Sequence, residues 1–152
     1  MRAVIQRVTS ASVTVGTEVV GKIAKGLCVL VGITNDDDEK DVDWMVKKIT
    51  TLRLFDDEAG KSWAKSVKDL DLEVLSVSQF TLYALANKGS KPDFHLAAKA
   101  DISKDMYHGF LEKLGKAHKP DKIQDGRFGA MMDVHINNDG PVTIILDSKQ
   151  KQ

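Results

Sequence analysis

Ser78-Gln79-Phe80-Thr81 is where this chain gathers groups able to do chemistry. Inside a run of Leu and Val it sets three polar side chains in four positions, two of them hydroxyls, around one aromatic ring. A hydroxyl attacks well only when a base removes its proton. For Thr81 no base stands at a recognisable spacing, and the G-x-S-x-G elbow of serine hydrolases is absent. The plain structural reading is a solvated strand face. Val77 and Leu82, however, flank the patch with apolar bulk, and Phe80 offers a stacking surface for a base. A polar patch at the end of a buried strand is the candidate site.

Other chemistries find less support. His95, His108, His118 and His135 fall on different predicted elements without the close spacing of a zinc site, so no metal is expected. Gly16 to Ile23 (GTEVVGKI) imitates a phosphate-binding loop, but Ile23 stands where a hydroxyl is required and the context is strand-turn-strand; it reads as a hairpin. Cys28, within the apolar run GLCVLVGI, reads as a buried, inert thiol. A single cysteine forms no intrachain disulfide, which makes a reducing cytoplasmic setting the default.

A second feature is NDGPVT, residues 138 to 143. Asn-Asp-Gly is a turn signal and proline cannot donate to a ladder, which points to a tight hairpin. Alternatively, Gly140-Pro141 presents backbone atoms to a ligand, since Gly permits close approach and an X-Pro bond can be cis. Spacing alone leaves both readings open.

These residues need elements to hold them. AVIQRV, ASVTV, EVVGKI and GLCVLVGIT are short β-branched runs that predict an antiparallel meander, with GLCVLVGI as its central strand. Val42, Met45, Ile49 and Leu52 recur at helical spacing after an acidic helix start at 36–43. Leu54 and Phe55 begin another strand, residues 72–83 form the most strand-like segment, and 84–100 is an irregular loop. A second helix is predicted from Ser103 as N-cap to about His118, with Met106, Tyr107, Phe110, Leu111 and Leu114 as its apolar stripe. Strands 131–138 and 142–147 follow, then a polar, frayed tail at 148–152. Strands and two helices segregated in this way imply an α+β or closed β architecture rather than βαβ repeats, in a single domain over 1–147.

Length and composition agree. The chain has 152 residues, 42% hydrophobic and 29% charged, with no net charge. One core is affordable, and binding of nucleic acid by bulk electrostatics is disfavoured. Charge is nevertheless uneven: Lys88, Lys91 and Lys99 surround a single Asp93 and are candidates for phosphate contact. MRAVIQRV lacks the apolar core of a signal peptide, and no stretch approaches bilayer length, so no membrane partner is expected.

MRAVIQRV at the start, SQFTL at 78–82, KPDF at 91–94 and NDGPVT at 138–143 resemble, in order, the D-aminoacyl-tRNA deacylase family, from Met1 to about Asp147. The resemblance implies a barrel-like fold of antiparallel or mixed sheets with two main helices, acting as a homodimer without a cofactor. It implies an esterase that frees D-amino acids from mischarged tRNA, with the aminoacylated acceptor end as partner. It also implies that Gly140-Pro141 is a cis pair inserted from one subunit into the active site of the other, where its backbone carbonyls exclude an L side chain. Enantiomers carry the same atoms, so a rigid wall discriminates where attractive contacts do not. Glycyl esters, with no side chain to clash, are expected to pass.

Residue by residue, Arg7 matches an arginine that struts the Gly-Pro segment. Ser78, Gln79, Phe80 and Thr81 match the adenosine and ester site, with Phe80 near the terminal adenine. Lys91, Pro92 and Phe94 match a loop bordering that pocket, and Asn138 and Asp139 shape the turn presenting Gly140. Retention of Ser78, Phe80 and Arg7 points to the D-specific branch. Two accounts of catalysis follow: Thr81 as nucleophile, or water attack aided by the neighbouring ribose hydroxyl and by backbone N–H groups around Gln79 and Phe80. The resemblance favours the second. The alternatives are a non-catalytic dimeric module that holds an RNA end or nucleotide, and a small-molecule amidase or esterase.

Overall fold

β-branched residues at alternate positions keep the first third of the chain extended, but they build one long strand where two were predicted. In the computed structural model, which describes residues 1–150, β1 (Arg2–Val15) runs past Ser10 without a turn. It turns Ala3, Ile5, Val8, Ala11 and Val13 inward. β2 (Glu18–Ile23) folds back on the far half of β1 after Gly16, whose φ is 61°, so the phosphate-loop lookalike is indeed a hairpin. β3 (Gly26–Gly32) pairs with the near half of β1 rather than with β2. The order β2-β1-β3 therefore replaces the predicted meander, while β3 is the central strand that its apolar run required.

The remaining pairings differ in direction. β4 (Glu73–Ser78) lies parallel to β3, and β5 (Ile123–Asp125), a strand missed in the sequence, lies parallel to β4. Parallel neighbours need a crossover. α1 (Glu39–Thr51) supplies it between β3 and β4, and α2 (Ala100–Ala117) between β4 and β5, so βαβ units are present after all. The result is one domain with a mixed, nearly closed barrel of six strands and two helices. Closure is visible at Gly21 of β2, where a Cβ would lie 2.2 Å from the carbonyl oxygen of Asp125 in β5. Only glycine allows that approach.

β6 (Asp133–Asp147) overturns the hairpin reading of NDGPVT. The chain does not reverse there; a single strand runs antiparallel to β1 throughout. Its ladder slips on either side of Val8, and residues 139–142 bulge out opposite Arg7 alone. Within the bulge the Gly140-Pro141 peptide is cis and Gly140 has φ of 121°. Elsewhere, Leu54 and Phe55 yield only an isolated bridge from Phe55 to Lys65, not a strand.

The helices form for local reasons. Asp38 caps α1 by accepting from the N–H of Lys40 at 3.0 Å and of Asp41 at 3.4 Å, while Asp41 Oδ2 accepts from Asp38 N–H at 3.0 Å. α1 then sends Val42, Met45 and Ile49 into the core beside Tyr107, Phe110 and Leu114 of α2. α2 starts at Ala100 with Lys99 as N-cap, not at Ser103, which is buried in the first turn. Among the described residues no helix is long and apolar enough to cross a membrane.

The predicted frayed tail is held at its first two residues. Ser148 is buried, accepts from the Met1 ammonium at 2.8 Å and donates to Asp41 Oδ1 at 2.6 Å; Lys149 Nζ donates to Asp41 Oδ2 at 2.8 Å. Burial alone would push the Asp41 carboxyl up. Hydrogen bonds from Lys149, Ser148 and the Asp38 N–H, with the nearby N-terminal ammonium, hold it well below the usual carboxylate range instead. A pKa lowered by folding contributes stability that is complete above the unfolded value, near ~4, and is lost as pH falls through the folded value. Asp41→Asn is therefore expected to destabilise the protein by about 2 kcal/mol near neutral pH, after discounting the solvent-screened Lys149 amine. The gap to wild type narrows below pH ~4, which urea unfolding at neutral and acid pH checks; an equal gap at both would count against this role.

Candidate active site

The site begins with a missing side chain. At Gly32 of β3 a Cβ would stand 3.0 Å from both Gln79 O and Leu82 Cβ, so glycine lets the chain leaving β4 pack directly on β3. Gln79 N–H donates to Val31 O at 2.7 Å, and the backbone then winds into a 3-10 helix, Phe80–Tyr83. The predicted strand 72–83 thus ends at Ser78. Ser78, Gln79 and Thr81 lie on a strand end, a junction and a first helical turn, not on one strand face.

This local geometry sorts the chemical options. Gln79 Nε2 donates to Thr81 Oγ1 at 2.5 Å. Among the described residues no carboxylate, imidazole or amine bonds to the hydroxyl of Thr81 or Ser78, so neither has a base in place. The N–H groups of Phe80 and Thr81 head the 3-10 helix and have no acceptor within it. That of Gln79 is already taken by Val31.

Ser78 to Thr81 form one wall of a cavity of about 640 Å3. The start of α2 (Ala100, Ser103, Tyr107) and the segment 128–132 supply others. Neither was anticipated, although GRFGAMM, with Phe128 just before the predicted strand 131–138 and Met131 and Met132 at its start, is unusually apolar for an exposed segment. Met131 is 92% exposed at the mouth. Behind it Tyr107 joins three elements: its hydroxyl lies 2.9 Å from Ser76 Oγ in β4 and donates to Asp125 Oδ1 in β5 at 2.5 Å. Burial pushes the Asp125 carboxyl up despite that bond, and raises the Tyr107 phenol as well.

Phe80 is 58% exposed, and the Phe94 ring meets it edge-on at 5.2 Å and 67°. The loop that carries Phe94 is pinned by a bridge between Leu85 and Asp93. Lys91 and Pro92, on the same loop, are exposed and do not line the cavity.

The other expected site residues gather elsewhere. Arg7 Nη1 donates to Leu54 O at 2.8 Å, and its Nε lies 3.2 Å from Asp139 Oδ2, out of line for a hydrogen bond. Asn138 Nδ2 donates to Arg7 O and Val142 O, each at 3.0 Å, and so ties both edges of the bulge. Gly140 sits against Arg7, where a Cβ would come within 3.1 Å of Nη2, and Pro141 is exposed. Neither Gly140 nor Pro141 lines the cavity of its own chain.

Residues 4–147, a span containing both groups, match the model of the D-Tyr-tRNA(Tyr) deacylase family. The chain belongs to this family. D-aminoacyl-tRNA deacylase 1 of Bos taurus is 57% identical over 97% of this chain and 70% of its own length. The D-aminoacyl-tRNA deacylase of Drosophila melanogaster is also 57% identical, over 100% of this chain and 95% of its own. Among solved structures, one described as c-Myc DNA Unwinding Element Binding Protein shares 55% identity and a TM-score of 0.93, covering 97% of this chain and 98% of that one. A probable eukaryotic D-amino acid tRNA deacylase shares 17% identity yet reaches a TM-score of 0.81 over 95% and 97% of the two chains, a likeness of fold alone.

Proposed function

We propose that this chain hydrolyses the ester of D-aminoacyl-tRNA as a cytoplasmic homodimer, with Gly140-Pro141 of one subunit completing the cavity of the other and rejecting L side chains. One observation carries the reading: the site residues form two separate groups on the chain. One lines a cavity open at Phe80, and the other is an exposed backbone projection braced by Arg7 and Asn138. A self-complementary dimer brings such halves together twice.

In this reading water attacks the ester carbonyl carbon, the bond to the ribose oxygen breaks, and that oxygen takes a proton as the free D-amino acid leaves. The N–H groups of Phe80 and Thr81 receive the developing oxyanion. The neighbouring ribose hydroxyl orients the water, since no side-chain base is set against Thr81. A wall that acts on the side chain alone lets glycyl-tRNA through.

Thr81→Ala is expected to keep kcat within about threefold of wild type; a fall of roughly 10,000-fold in a folded variant would instead make Thr81 the nucleophile. The whole reading is tested by a deacylation time course with D-Tyr-tRNA, L-Tyr-tRNA and Gly-tRNA in the presence of chelator. Loss of the D and glycyl esters with the L ester intact is expected, and equal loss of both enantiomers would overturn the wall. The similarity to a DNA-unwinding-element binding protein favours a second reading, a dimeric module that holds a nucleic-acid end. No turnover of any ester by folded protein selects it.

A further inference from the structure

The irregular segment 84–100 is fastened almost entirely by its backbone. Leu85 and Asp93 exchange hydrogen bonds at 2.8 Å in both directions, and Ala98 N–H donates to Ile33 O at 3.0 Å. Thr34 Oγ1 donates to Leu96 O at 2.5 Å and Asn35 Nδ2 to His95 O at 2.9 Å. None of these bonds uses a lysine. Lys88, Lys91 and Lys99 are all exposed, and none has an ion-pair partner among the described residues.

Three carboxylates are engaged elsewhere, while Asp101, in the first turn of α2, forms no ion pair with Lys99. Asp93, the one acid of the segment, is hydrogen-bonded to the ring of His95. Across the strand junction, Asp37 is 2.6 Å from the Met1 ammonium and Asp41 is 2.8 Å from Lys149. Nor does helix stability explain Lys99. It is the N-cap of α2, makes no side-chain capping bond, and adds positive charge at the positive end of the helix. Three cations on one segment without ion pairs leave a positive surface that favours an anion.

The segment also borders the cavity: Ala97, Ala98 and Ala100 line it, and Phe94 touches Phe80 at its mouth. Together, half-exposed rings beside unpaired lysines combine a stacking surface with a phosphate track, the pairing used to hold single-stranded nucleic acid. We infer that the 84–100 segment carries the single-stranded 3′ end of the RNA substrate, with its phosphates along Lys88, Lys91 and Lys99 and its terminal ester in the cavity beside Phe80. The inference rests on the deacylase reading and adds the route by which RNA reaches the site.

The test compares wild type with a Lys88→Gln/Lys99→Gln double variant on two substrates, D-Tyr-tRNA and 3′-O-D-tyrosyl adenosine, which has no phosphate, over a range of KCl. KM for the tRNA is expected to rise about fivefold in the variant, and its log-log salt dependence to shrink by about 1.4, two phosphates at about 0.7 each. KM for the adenosine ester moves less than about twofold, because it lacks the group the lysines meet. Equal changes on both substrates, or none on either, overturn the track. A variant whose mass by light scattering differs from wild type overturns it too, since the lysines would then face another copy of the chain. If wild type hydrolyses neither substrate, the deacylase reading fails, and the inference with it; the wild-type reactions alone reveal that case.

Discussion

Gly140→Ala is expected to lower the D-over-L rate ratio at least about a hundredfold while the barrel stays folded. An added Cβ would stand 2.8 Å from Val142 Cγ2, 3.0 Å from Val142 N and 3.1 Å from Arg7 Nη2, at a φ of 121° that L residues rarely adopt. The first contact is with a side chain that can rotate. The backbone and guanidinium contacts cannot both be relieved without moving the bulge. Strain of this kind costs roughly 1–3 kcal/mol, a fall of several degrees in Tm for a domain of this size, so the variant remains foldable. The effect falls on function because a misplacement of about 1 Å in a positioning group is worth about a hundredfold in rate. Single-turnover rates with D-Tyr-tRNA and L-Tyr-tRNA check it. An unchanged ratio in a folded variant would show that the bulge only shapes the strand.

Arg7→Ala comes next, with an expected tenfold loss in the same ratio and a D-ester kcat within about threefold of wild type. Arg7 reaches from β1 to the carbonyl of Leu54 on one side and to Asp139 on the other, so one guanidinium ties the bulge to the body of the domain. A charge-assisted hydrogen bond contributes about 1.5–3 kcal/mol, and the half-exposed Asp139 partner adds less because water screens it. Arg7→Lys is expected to restore only part of the selectivity, since an ammonium cannot serve both partners in the fork geometry of Arg. A lysine variant as poor as alanine, or an alanine variant as selective as wild type, would count against the brace.

Legibility from the sequence followed the range of the interactions. β3 and α1 were readable because a continuous apolar run and a 3.6-residue period are local properties. The change at Ser78 was not: Phe80, Thr81, Leu82 and Tyr83 are good strand formers, and the turn arises because Gly32, on another strand, leaves room for it. At NDGPVT the turn signal was real, but pairing with β1 on both sides converted a chain reversal into a bulge. Three residues of β5 were too few to register as a strand. Ser78 to Thr81 could be singled out by polarity in an apolar setting. Tyr107 could not, because its role depends on reaching Ser76 and Asp125, on two other strands. Arg7 was marked by resemblance alone, since its contact with Leu54, 47 residues away, leaves no local signal.

The pairing of β6 with β1 also sets an order of events. Arg2 faces Asp147 across that ladder, 145 residues apart in the chain. Contacts so distant form slowly, because the chain must be ordered over its length before they give any return. During synthesis, β3, β4 and α2 emerge and can begin to assemble while the partner of β1 is still unmade. A chain halted at that stage can start to outline a cavity but has no bulge, and Arg7 has no Asp139 to hold. The braced bulge is thus a late acquisition of folding, reached only when β6 pairs with β1.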